Sequence, residues 1–232
     1  MTRAFLQEER IRIAQQLVDV SQNFAAKGWF PATSGNLSIK LSHDPLIFGV
    51  TASGRDKENL QPSDILFVDG GSKAVEPTLL KPSAETLVHA EVYQKIGGGA
   101  GSVLHVHTLY NNLISEIYAQ EGKLTLSGME LIKGLNIWEE DAVIEVPIVE
   151  NFADIPKLAE EIGKRLDPRV PGVLIRNHGI YAWGEDVFAA KRHVQAFEFM
   201  FQYHFLWLTY KQQVNPALTL MAQQQQIASL AI

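Results

Sequence analysis

Ser102-Val103-Leu104-His105-Val106-His107 alternates along its length and is rich in Val and Leu, so it reads as a β-strand. On a strand, side chains i and i+2 leave the same face, about 6.5–7 Å apart. His105 and His107 therefore share a face, and two imidazoles at that spacing can tilt onto one divalent ion. A third histidine stands in the tight turn Asn177-His178-Gly179, between the apolar runs Gly172-Val173-Leu174-Ile175 and Ile180-Tyr181-Ala182-Trp183. Three imidazoles and an open position suit a catalytic metal better than a structural one, which four protein ligands normally close.

Upstream of this strand, Gly97-Gly98-Gly99-Ala100-Gly101 links it to a helix expected from Pro82-Ser83 to Lys95, with Ser83 as N-cap. Leu37 to Leu41, Leu46 to Val50 and Asp64 to Asp69 read as strands, with a turn at Ser42-His43-Asp44-Pro45 and a hairpin turn at Gly70-Gly71. Leu6, Ile13, Leu17, Val20 and Phe24 recur at helical spacing, and Gly28 stops that helix.

Downstream, a helix follows from Thr108, then a loop and a short helix around Met129 to Leu135. Ala142 to Val149 is a strand, with Pro147 suggesting an edge or bulge. Asp154 opens a helix to Leu166 that Asp167-Pro168 ends. Asp186 caps the longest helix, whose buried stripe is Val187, Ala190, Val194, Phe197, Phe201, His204 and Leu208. Hairpin signals among flanking helices predict an α/β fold, a largely antiparallel sheet covered by helices, in a single domain over residues 1–232 with a tail from about residue 211. The Gln223-Gln224-Gln225-Gln226 run reads as a frayed or partner-docking end.

A net charge of −6 and a pI near 5.6 argue against nucleic-acid or anionic-membrane partners. With no cysteine, a metal must be held by histidine and carboxylate. The N-terminal residues lack the apolar core of a signal peptide, and no window resembles a membrane span; a soluble, cytoplasmic protein is expected.

Thr33-Ser34-Gly35-Asn36 and Thr51-Ala52-Ser53-Gly54 are small-residue turns whose N–H groups and hydroxyls can nest a phosphate dianion. Each taken alone is more readily an ordinary turn. Ser83 at a helix start adds a third anion-friendly group, and Lys57 lies near the second turn. Glu85 and His89, one turn apart, are either an exposed i,i+4 pair or a carboxylate brought to the metal. Glu130 is flanked by apolar residues, an enclosure that would raise its pKa and suit proton transfer. His193 and His204 read as packing or interface residues.

These five segments — the two turns, Lys81-Pro82-Ser83-Ala84-Glu85-Thr86, the His105/His107 pair and Asn177-His178-Gly179 — occur in an order that resembles the class II aldolase/adducin family from Glu8 to Tyr210. The resemblance implies a mainly antiparallel sheet between helical layers, assembled as a homotetramer with sites near subunit interfaces. It also implies Zn2+ on His105, His107 and His178, although three imidazoles suit Mn2+ or Fe2+ as well. Ser34, Gly35, Asn36, Ser53, Gly54 and Ser83 would hold a phosphate, with Glu130 as general acid/base. Glu85 matches the acid–base glutamate of the sugar-phosphate aldolases, which tend to carry tyrosine at the position of Glu130. Gly128 to Gly134 and Val146 to Asn151 look most like members that dehydrate 5-methylthioribulose 1-phosphate in methionine salvage. The expected reaction is loss of a C3 proton to a glutamate and of the C4 hydroxyl as water, giving a 2,3-diketo phosphate. An aldolase or epimerase acting on another sugar phosphate is the alternative, and a non-catalytic interaction module, which would lack the three histidines, the remaining one.

Overall fold

A computed structural model describes residues 3–214 of the chain. Eight strands form one mixed sheet: β1 (Asn36–His43), β2 (Leu46–Thr51), β3 (Ile65–Asp69), β4 (Ser102–Val106), β5 (Lys123–Ser127), β6 (Val143–Val149), β7 (Gly172–Ile175) and β8 (Gly179–Gly184). Their order is β3-β2-β1-β4-β8-β7-β6-β5. Every neighbouring pair is antiparallel except β6 with β7. The histidine strand β4 is central, flanked by β1 and β8.

Helices α1 (Arg3–Ala25), α3 (Leu109–Ile117) and α5 (Val187–Val214) contribute to the core on one face, and α2 (Thr86–Ile96) and α4 (Ile155–Arg165) to that on the other. The strand alternation sorts side chains between the two cores. Leu104 and Val106 of β4, with Ile180 and Ala182 of β8, join Leu17, Phe24 and Phe197. Val103, Tyr181 and Trp183 join Val88, Val92, Tyr93 and Leu158. Burial on both faces is what allows β7 and β8 to be almost wholly apolar. Among the described residues, no helix is long and apolar enough to cross a membrane.

Several expectations need correction. Lys123–Ser127, read as loop, is the edge strand β5; its period-2 pattern buries only Leu124 and Leu126 and is easily overlooked in so short a run. Pro147 lies on neither an edge strand nor a bulge: β6 sits between β5 and β7, and Pro147 faces Lys123 where the β5 pairing ends and the β7 pairing begins at Ile148. Ser83 does not cap α2. Its carbonyl accepts from the Thr86 N–H and hydroxyl, and the N-cap position falls two residues later than expected, at Glu85. Helix α5 continues through Val214, and the expected tail beyond it, with Gln223 to Gln226, lies outside the described residues. Asp154 and Asp186 do cap α4 and α5, accepting from the N–H groups of Lys157 and Ala189.

Candidate active site

The site forms where β4 ends against the turn into β8. His105 is the penultimate residue of β4, and His107 follows just past the strand, its N–H bonded to the Trp29 carbonyl. Asn177, at φ 50°, turns the chain between β7 and β8 and swings His178 back over the pair. Gly179 is required here: a Cβ would stand 2.5 Å from the Val106 carbonyl and 2.8 Å from the His105 ring. One ring nitrogen from each of His105, His107 and His178 lies within 4.8 Å of the others.

The hydrogen bonds orient these rings. His105 Nδ1 donates to the Ile180 carbonyl at 2.9 Å, and His178 Nδ1 donates to Asn151 Oδ1 at 3.1 Å. Both leave Nε2 unprotonated toward the centre. Burial, reinforced by His178, holds His105 well below its ordinary pKa, and burial takes His107 down to about 2. Glu85 closes the cluster. Its Oε2 is 3.3 Å from His105 Nε2 and its Oε1 3.2 Å from His178 Nε2. With His105 Nε2 a lone pair, His107 Nε2 donates to it at 2.9 Å, and carboxylate oxygens and imidazole nitrogens converge on one small volume, the kind of donor set a divalent cation takes. The donor set fits a divalent metal. His105, His107 and His178 could together hold a metal ion.

Tyr181, stacked 4.0 Å from His105 across the β4–β8 register, donates its hydroxyl to Glu85 Oε2 at 2.9 Å. Burial and the Glu85 charge push this phenol well above its usual pKa, so it remains a donor. Beside the triad opens a cavity of about 750 Å³, lined by His107, His178, Leu109, Asn112, Asn151 and Asn177 among others.

The turns expected to hold phosphate gather nearby. Ala32 and Thr33 have φ of 53° and 61°, and Gly35 at 76° has no room for a side chain against Phe30 and the His105 carbonyl. Non-glycine residues in this region store strain, which tends to accompany function. The Ser34 hydroxyl is buried without a partner. Ser53 and Gly54 are exposed, and the Ser53 N–H bonds the Lys81 carbonyl, joining that turn to the Ser83 segment. Buried Lys57 ties the turns together, donating to the carbonyls of Arg55 at 2.9 Å and Thr33 at 3.4 Å.

Three placements differ from the sequence reading. Asn36, expected on phosphate, commits its side chain to Glu85 and His89. His89 is no exposed partner of Glu85 but fully buried. Glu130 lies outside the triad of its own chain. It begins a 3-10 turn, Glu130–Leu135, is largely exposed, and pairs with Lys133 at 3.0 Å. Its apolar neighbours in sequence, Ile132 and Leu135, turn inward and leave the carboxylate in solvent. Tyr181, which the sequence reading passed over, had one readable signal, its place two residues after Gly179 on an apolar strand.

Comparison with known proteins places this geometry. Residues 15–205 match the family model for the class II aldolase and adducin N-terminal domain. A methylthioribulose-1-phosphate dehydratase of Persephonella marina is 55% identical over 85% of this chain and 91% of its own. That of Bacillus subtilis is 49% identical over 86% and 95%. Among solved structures, an L-fuculose 1-phosphate aldolase superposes with a TM-score of 0.70 at 21% identity, over 86% of this chain and 87% of its own. One from Thermus thermophilus has a TM-score of 0.66 at 25% identity, over 86% and 98%.

Proposed function

The chain belongs to the class II aldolase and adducin family, and on that footing we propose that it dehydrates 5-methylthioribulose 1-phosphate to 2,3-diketo-5-methylthiopentyl 1-phosphate, a hydro-lyase step of methionine salvage. The observation that carries the reading is the identity with dehydratases along most of both chains, at a site where His105, His107, His178 and Glu85 converge.

His105, His107 and His178 would hold one metal ion per chain, for which we propose Zn2+. Bound there, it would supply Lewis acidity that polarises the C2 carbonyl of the substrate. The phosphate sits against the Ser34 hydroxyl, Gly35, Ser53, Gly54 and Ser83, giving binding energy away from the reacting carbons. Asn36 supports this pocket through Glu85. Glu85, seated against the triad, takes the proton from C3. The sequence reading assigns that proton to Glu130; we propose instead that Glu130, exposed in its own chain, works from a neighbouring subunit. There it protonates the C4 hydroxyl, which leaves as water, and the C3–C4 enol tautomerises to the diketone. Assembly as a homotetramer supplies that neighbour, and exposed Leu109, Phe199, Tyr203 and Leu206 offer apolar surface for it.

Incubation of the metal-loaded protein with 5-methylthioribulose 1-phosphate tests the reading. A near-ultraviolet-absorbing diketone should appear with no two- or three-carbon aldehyde, and chelation should stop turnover. Loss of the substrate phosphate should cost several kcal/mol in kcat/KM, at roughly 1.5–3 kcal/mol per charge-assisted hydrogen bond. Triose or glycolaldehyde products without diketone would make the chain an aldolase.

A further inference from the structure

We propose that His89, together with Asn36, is a positioning residue for Glu85: a buried one-way hydrogen-bond chain Tyr93–Ser38–His89–Asn36 anchors one carboxylate oxygen and so fixes the orientation in which the other is presented to the substrate. The chain is continuous. Asn36 Nδ2 donates to Glu85 Oε2 at 3.0 Å. Asn36 Oδ1 bonds His89 Nε2, His89 Nδ1 lies 2.7 Å from the Ser38 hydroxyl, and that hydroxyl lies 2.7 Å from the Tyr93 hydroxyl. His89, Ser38 and Tyr93 are fully buried, and Asn36 is 3% exposed, so water cannot substitute for any link.

The proton positions follow from one end. A carboxylate only accepts, so Asn36 must present its amide N–H to Glu85 and therefore its oxygen to His89. That oxygen also only accepts, so His89 carries its proton on Nε2. Burial holds this imidazole neutral, its pKa lowered to about 3, which leaves Nδ1 as a lone pair. Ser38 then donates to Nδ1 and accepts from the Tyr93 phenol. Every hydrogen in the chain points toward Glu85. The sequence builds it simply: Asn36 and Ser38 are i,i+2 on one face of β1, and Glu85, His89 and Tyr93 follow at four-residue spacing along the start of α2.

The consequence falls on Glu85. Its Oε2 takes both the Asn36 and Tyr181 donors, so Oε1, 3.2 Å from His178 Nε2, is left without either of them on the side of the triad. Rotating the carboxylate out of this plane would break both hydrogen bonds at once, so the wiring holds the plane in which the other oxygen is presented. This inference rests on Glu85 being the group that takes the C3 proton.

Two measurements test it. In the metal-loaded protein at neutral pH, side-chain 15N NMR should show His89 protonated on Nε2 alone; an Nδ1–H tautomer or an imidazolium would overturn the chain. Kinetically, His89→Leu should lower kcat by about 10–100-fold, the usual effect of losing an outer-shell partner, with KM within threefold and one metal per chain. His89→Gln, which can donate to Asn36 from nearly the same place, should recover most of that loss. Wild-type kcat in a folded His89→Leu, or equal loss in both variants, would overturn the proposal. Should Glu85→Gln itself be near wild type while the NMR result holds, the assignment of Glu85 fails and the wiring stands.

Discussion

At the scale of single residues, environment matters more than neighbours in sequence. Glu85 and Glu130 are both carboxylates beside apolar residues, yet one is enclosed by His105, His178, Asn36 and Tyr181 and the other is exposed beside Lys133. Replacing either with glutamine keeps shape and polarity and removes the titrating proton. Glu85→Gln is expected to retain metal and substrate binding and to lose about 10²–10⁴-fold in kcat, the usual worth of a general acid or base. Steady-state kinetics beside metal analysis checks this. A comparable fall in Glu130→Gln supports two proton carriers, whereas an unchanged kcat there leaves Glu85 to act alone.

At the scale of elements, the site depends on how closely β8 can approach the end of β4. Gly179 permits it, since any Cβ would press on the Val106 carbonyl and the His105 and His107 rings. Gly179→Ala should therefore splay the two histidines and weaken metal binding by tenfold or more, by analogy with the roughly 10–100-fold cost of disturbing ligand orientation. Overpacking of this kind also destabilises by about 1–3 kcal/mol. Competition with a chromophoric chelator measures the first effect and denaturant titration the second. Wild-type metal affinity in the variant would show that the strand approach is not what sets the geometry. The start of α3 is anchored alongside, where Thr108 accepts from the Asn111 N–H and donates to Glu198, a carboxyl that burial pushes up to about 7.

At the scale of the whole molecule, the proposed contribution of Glu130 across a subunit contact predicts complementation. Mixed and reassembled, Glu130→Gln and His105→Ala/His107→Ala chains should recover activity that neither has alone. Random pairing makes about one site in four complete, because closed symmetry repeats one interface. No recovery in mixtures that mass spectrometry shows to be hetero-oligomeric would confine the site to one chain. Much of this molecule was legible in its residues, because the signals were local. Strand alternation marked His105 and His107, apolar periodicity marked α1 and α5, and Thr108, Asp154 and Asp186 marked where their helices begin. Family membership was legible too, in five short motifs in order. The rest needed the third dimension. Only the sheet brings His178 back over a strand some seventy residues earlier, and only the packing of α2 beside β1 carries Glu85 to the triad and buries His89 behind it. Burial decides charge, hydrogen-bond direction and reach, and it depends on which element packs against which face, a quantity that no window of sequence contains.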